Sequence, residues 1–211
     1  MTALAVIAKA PVAGRSKTRL TPPCTPVQAA ALAAAALADT LAAVLATAAS
    51  RRVLVLDGAP GPWLGVPGLE VVAQRGAGLA ERLAAAFEDI GEPALVVGMD
   101  TPQLTPQLLA EALAQLDRAD AVLGAAPDGG YWAIGLQAAD EHVFAGVPMS
   151  DRRTCAVQRE RLRVLGLRTH ELPELRDVDD IEDARAVAAL APAARFARTL
   201  AAMRLPAAIP A

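Results

Sequence analysis

Short apolar runs that alternate with segments of helical period constrain this chain more than any other feature. The runs are Leu4–Ala8, Val53–Leu56, Leu69–Ala73, Ala94–Gly98 and Ala121–Ala125, and helical patterns at Pro26–Ala49, Leu79–Ile90 and Pro106–Leu116 lie between several of them. Thr25-Pro26-Val27-Gln28 reads as a capping box with proline at the first helical position, and Thr105-Pro106 repeats the Thr–Pro start. Strands that are continuously apolar, with helices between them, belong to a mostly parallel sheet covered on both faces. The expected fold is therefore α/β, a three-layer α/β/α arrangement. Without an internal repeat or a linker, residues 1–211 read as a single domain.

After residue 126 the pattern changes. Tyr131–Leu136 is a short strand behind a turn at Asp128-Gly129-Gly130. Asp151–Leu165 reads as a polar, Arg-rich helix and Arg168–Leu172 as a further strand. Asp179 or Asp180 caps a helix to about Leu190, and the tail beyond is proline-punctuated and weakly specified.

Ligands of such sheets gather at the carboxyl ends of the strands. The first run leads into AKAPVAGRSKTRL, where Lys9, Arg15, Lys17 and Arg19 surround Gly14. This is not a P-loop. Aligned on Gly14, it misses two of the four fixed positions, and Thr21-Pro22-Pro23 separates it from the helix. It reads instead as a longer loop whose side-chain cations grip phosphate, with Lys17 and Arg19 on one side of an extended segment. A solvated loop paired with surface carboxylates is the competing reading. The overall balance sharpens the contrast: with a net charge of −3 and a pI near 5.4, nucleic acid and anionic membranes are poor partners.

Carboxylates are expected on the same rim. Asp100 follows the run Ala94–Gly98 directly, where it either starts a turn or, beside a diphosphate, holds a bridging Mg²⁺ or Mn²⁺. In Asp177-Val178-Asp179-Asp180-Ile181-Glu182-Asp183, alternation puts Asp177 and Asp179 together, while Asp180, Glu182 and Asp183 suit a helix start. Asp179 could ligate or cap. Asp128-Gly129-Gly130-Tyr131 joins a carboxylate to two glycines and a rare aromatic. That combination points to an acceptor-binding stretch with Asp128 as the base, against a plain hairpin turn.

Other chemistries find little support. Cys24 and Cys155 are far apart, His142 and His170 are the only histidines, and no G-x-S-x-G occurs. Cysteine usage fits a reduced, cytoplasmic compartment, and the start of the chain lacks the basic region of a signal peptide. Gln28–Ser50 is apolar enough to suggest a membrane span. Asp39 and its stripe of Leu37, Leu41, Val44, Leu45 and Ala48 fit a buried helix better.

Four ordered motifs, AKAPVAGRSKTRL, GMDTPQL, APDGGYWAIGL and DVDDIEDA, resemble a bacterial family of GT-A-fold proteins, the radical-SAM/selenodomain-associated glycosyltransferases. The likeness runs from about residue 4 to about residue 190. More distantly the chain is similar to molybdenum-cofactor nucleotidyltransferases and 2-phospholactate guanylyltransferase. The resemblance implies a nucleotide-diphospho-sugar transferase-like fold, a nucleotide over the first strands, and a divalent metal. The family's basic loop falls on Gly14, Arg15, Lys17 and Arg19, and its metal aspartates on Asp100 and Asp179, with Asp177 in the same late segment. Around Val147-Pro148-Met149-Ser150 the chain departs from relatives that carry Trp before Ser.

Three functions follow. A glycosyltransferase would take a nucleotide-diphospho-sugar and a small-molecule acceptor bound near Gly129, Gly130 and Tyr131. A nucleotidyltransferase would join an NTP to a phosphorylated small molecule, with Lys17 on the leaving pyrophosphate. A nucleotide-binding protein without catalysis would use the same charges. The nucleotide base, the sugar, the acceptor and the oligomeric state stay open.

Overall fold

The computed structural model describes residues 1–61, 64 and 67–205. The end of the proline-punctuated tail, residues 206–211, lies outside the described residues. Seven strands form one sheet: β1 (Ala3–Lys9), β2 (Arg52–Asp57), β3 (Glu70–Ala73), β4 (Ala94–Gly98), β5 (Ala121–Ala125), β6 (Tyr131–Leu136) and β7 (Thr169–Leu172). Their order is β3-β2-β1-β4-β6-β5-β7. Only β6 runs antiparallel, to β4 on one side and β5 on the other. The expected α/β fold with a mostly parallel sheet is present.

Alternation along each strand divides the core between the two faces of the sheet. Leu4, Val6, Leu54, Leu95, Val97 and Val122 point to the face covered by α1 (Pro26–Ala46) and α3 (Pro106–Leu116). Ala5, Val53, Val55, Val96, Leu123 and Ile134 point to the other, under α2 (Leu79–Ile90), the turn at Glu141–Phe144 and α4 (Thr154–Val164). Leu and Val make up most of this core and Ala fills the gaps.

Helix α1 starts at the predicted capping box, with Thr25 and Gln28 bonding each other's backbone. It is long and apolar enough to span a membrane, yet 56% of its apolar window is buried inside the protein. The reason is a second layer. One side of α1 meets the sheet through Leu37, Leu41 and Val44. The other meets α5 (Ile181–Leu190) and α6 (Arg195–Ala201) through Leu32, Ala36, Val187 and Phe196. A helix enclosed on two sides carries no wide polar face.

Helices α2 and α3 and strands β4, β5 and β6 have the predicted limits. Helix α1 stops at Ala46 rather than Ala49, and α4 begins at Thr154 rather than Asp151. Asp180, not Asp179, caps α5, taking the backbone N–H groups of Glu182 and Asp183. Helix α6 was not anticipated: its start is held by Asp39 of α1, whose carboxylate accepts from the N–H groups of Arg195 and Phe196.

Candidate active site at the carboxyl ends of the strands

Because β6 folds back between β4 and β5, the carboxyl ends of β1, β4, β5 and β7 share one rim. That rim carries the basic loop, Asp100, the Asp128 turn and the Asp177–Asp179 segment.

The basic loop is shaped by its own atoms. Buried Ser16 takes a hydrogen bond from the Val12 N–H and donates one to the Ala10 carbonyl, at 3.0 and 2.9 Å. Leu20, fully buried, pins its far end. The expected extended course is wrong here. Gly14 and Lys17 both have positive φ (76° and 51°), and Thr18–Leu20 forms one turn of 3-10 helix. Burying Leu20 demands that turn, so Lys17 and Arg19 reach the acidic rim by different routes. Lys17 is inward and nearly buried, pairing with Asp100 Oδ2 at 2.8 Å and donating to the Val178 carbonyl. Arg19 is 69% exposed and pairs with Asp179 Oδ2 at 2.5 Å.

Lys9, Arg15, Lys17 and Arg19 line one cleft of about 240 Å³ together with Asp100 and Asp179. Gly14 lies in the same loop and its φ of 76° suits glycine. A neighbouring cleft of about 330 Å³ shares Lys9 and Asp100 and continues over the ends of β1 and β2 to Asp57, Gln74 and Arg82. There Gln74 Nε2 donates to the Ala8 and Val55 carbonyls, while Arg82 donates to Asp57 Oδ2 and Gln74 Oε1. Arg82 holds the Asp57 carboxyl below its ordinary range. Asp57 ends β2 and Gln74 directly follows β3, and Arg82, which sequence reasoning missed, reaches them from α2.

The acidic side is held by its neighbours. Trp132 Nε1 donates to the Pro173 carbonyl, the Leu175 N–H to Ala125, and the Val178 N–H to Asp100. Val178 is fully buried, so Asp177 and Asp179 turn outward together, as alternation predicts. Single oxygens of Asp177, Asp179 and Asp128 lie within 4.8 Å of one another. Burial first, then the charges of Asp128 and Asp179, push the Asp177 carboxyl up to about 6. Asp100 is outside this trio but borders both the 240 Å³ cleft and the groove beyond it; its Oδ1 is buried without a hydrogen-bond partner. The three converging carboxylates make a hard-oxygen donor set of the kind Mg²⁺ and Mn²⁺ take, and the orphaned Asp100 oxygen borders the same groove.

The groove beyond, about 990 Å³, is bordered by Asp128, Gly129, Gly130, Tyr131, Met149 and Arg152. Asp128 Oδ1 accepts from the Gly130 N–H at 2.7 Å and shapes the turn. Gly129, at φ 92°, is pressed against the start of α4: a Cβ there would lie 2.0 Å from the Arg152 carbonyl oxygen. The aromatic pair divides its labour. Trp132 packs in the core over Gly124, where a Cβ would meet its ring at 2.5 Å. The Tyr131 hydroxyl donates toward Gln158 Oε1 at 3.5 Å, and burial raises its pKa far above the usual phenol value. A separate groove of about 860 Å³ beside α2 holds Arg75, but that guanidinium is tied to Glu88 and Asp89.

Residues 31–151 match the family described as an uncharacterized protein conserved in bacteria (DUF2064). The chain belongs to this family. A comparison with curated proteins returns no match. Among solved structures, the chain is similar to a Desulfovibrio desulfuricans G20 protein provisionally titled a nucleotide-diphospho-sugar transferase. Identity is 28% and the TM-score 0.80, with 89% of this chain and 87% of that one covered. It also resembles CMP:2-keto-3-deoxy-manno-octonic acid synthetase complexed with CTP, at 12% identity and a TM-score of 0.59, covering 92% and 99%. A third similar structure is Rv0371c of Mycobacterium tuberculosis H37Rv in complex with manganese, at 19% identity and a TM-score of 0.54, covering 89% and 98%. The fold is that of the nucleotide-diphospho-sugar transferases, and the neighbours so named are transferases of nucleotidyl or glycosyl groups.

Proposed function

We propose that this protein is a divalent-metal-dependent glycosyltransferase that takes a nucleotide-diphospho-sugar donor and a small-molecule acceptor. The observation that carries the reading is the 240 Å³ cleft, which four cations line together with Asp100 and Asp179. Lys9, Arg15, Lys17 and Arg19, with the turn at Gly14, would hold the diphosphate. Asp177 and Asp179, two of the three clustered carboxylates, would hold Mg²⁺ or Mn²⁺, with Asp100 at the edge of the same groove as a further ligand; the manganese complex of the Mycobacterium tuberculosis neighbour supports a metal of this kind. When bound, the ion supplies positive charge against the departing diphosphate.

The chain's own residues do the rest. Asp128 borders the groove with Gly129, Gly130 and Tyr131, where an acceptor would lie. The acceptor oxygen forms the new bond to the anomeric carbon, the bond from that carbon to the diphosphate oxygen breaks, and the acceptor proton passes to Asp128. The nucleoside diphosphate departs with the electron pair of the broken bond, and the loop cations stabilise it.

Nucleotidyl transfer to a phosphorylated acceptor is the second reading, favoured by the CTP-bound neighbour. There Lys17 would stabilise the leaving pyrophosphate. Products separate the two. Nucleotide-diphospho-sugars and NTPs are screened with Mn²⁺ by thermal shift, and the binders are then incubated with an acceptor panel. Release of nucleoside diphosphate is the expected result. Pyrophosphate release selects the second reading, and metal-dependent binding without turnover over the whole panel selects a non-catalytic nucleotide-binding protein.

A further inference from the structure

Both cations of the loop that reach across the cleft are already engaged. Lys17 is nearly buried between Asp100 Oδ2 and the Val178 carbonyl, a strut between the basic loop and the acidic segment. Arg19 differs: it is exposed, and its pair with Asp179 Oδ2 is its only ion pair among the described residues. Asp179 is also one of the three clustered carboxylates. The same contact therefore occupies one oxygen of a clustered carboxylate and one arm of the Arg19 guanidinium.

We infer that Arg19 and a divalent cation compete for Asp179, so that the Arg19–Asp179 pair is a latch that the first ligand to arrive opens for the second. This rests on the metal and diphosphate sites proposed above and adds their coupling. A metal ion arriving alone must displace Arg19 from Asp179; a diphosphate arriving alone must draw Arg19 away from the same oxygen. When both bind, the pair is broken once instead of twice. By linkage, the free energy of the pair appears as positive coupling between the two ligands. For an exposed pair that coupling is at most about fivefold in affinity.

The latch makes a prediction of opposite signs, which a simple phosphate-binding arginine does not. Mn²⁺ binding to the full chain is followed by the electron paramagnetic resonance of free Mn²⁺ without nucleotide, and pyrophosphate binding by calorimetry in chelator. Arg19→Met should bind Mn²⁺ alone more tightly, by up to about fivefold, and pyrophosphate alone more weakly. Arg15→Met is the control for loss of loop charge, because Arg15 lines the same cleft and makes no ion pair among the described residues. It should weaken pyrophosphate with little gain for Mn²⁺. Equal Mn²⁺ affinity in Arg19→Met and wild type overturns the latch, as does an equal gain in Arg15→Met, or pyrophosphate binding that Arg19→Met leaves unchanged. In those three cases the metal site itself stands. Wild-type protein that binds no Mn²⁺ at all removes the metal reading together with the latch.

Discussion

The two irregular stretches that face each other across the cleft are built in different ways. The basic loop supports itself: Ser16 bonds within six residues of its own position, and Leu20 anchors the adjoining turn. The acidic segment is braced at its end by Asp183 of α5, which accepts from the Asp179 N–H and pairs with Arg176. The rest of it hangs from Ala125, Asp100 and Trp132, residues about forty to eighty positions earlier in the chain. The path of the basic loop is thus set chiefly by local chemistry, and that of the carboxylates chiefly by the hairpin of β5 and β6 and the end of β4. Metal affinity should be sensitive to changes far from the aspartates in sequence, and phosphate affinity chiefly to changes inside the loop.

The strongest way to break the acidic side is at Gly129. Gly129→Val puts a Cβ on the Arg152 carbonyl and strains a positive φ. A loss of about 3–5 kcal/mol of stability is expected, read from urea unfolding. Next comes the metal itself. A ligand at 100 times its dissociation constant adds about 2.7 kcal/mol, roughly 5–10 °C in Tm for a domain of this size. Asp179→Ala should erase the Mn²⁺-dependent part of that shift; an unchanged shift would take Asp179 out of the site.

Ser16→Ala tests the other side. It leaves the Val12 N–H without its partner, at a cost of about 1–3 kcal/mol. It should also weaken pyrophosphate binding while Mn²⁺ binding stays within twofold, and a parallel loss of both would show that the two sides are not separately built.

The smallest effect concerns protons. The folded Asp177 carboxyl titrates near 6, above its ordinary 3.8. A raised carboxyl favours the folded state while it is protonated in both states, and that advantage is lost as pH rises through about 6. Asp177→Asn should therefore stabilise the metal-free protein above pH 6, by about 1 kcal/mol after allowance for partial exposure, and have little effect below pH 4. Denaturant midpoints across pH 4–8 measure it.

Much of this molecule was legible without coordinates. Continuous apolar runs gave β4, β5 and β6 their limits, because a strand buried on both faces admits no polar residue. Glycine at both ends fixed α2, and Thr105-Pro106 fixed the start of α3. Helix α6 was illegible because its cap, Asp39, comes from α1, more than 150 positions away. The Lys17–Arg19 turn was misread for a related reason: alternation describes an extended segment, and only burial of Leu20 bends it.

Residue types and their spacing alone determined that cations follow the first strand and that Asp177 and Asp179 flank an apolar Val178. Hydrophobic period and local hydrogen bonding act over a few residues, so such features are written in short stretches. Which acids meet was a tertiary decision. The antiparallel insertion of β6 brought Asp128 to Asp177 and Asp179, and the Lys17 strut set Asp100 beside them. Charge placement across a sheet depends on strand order, which no short stretch encodes.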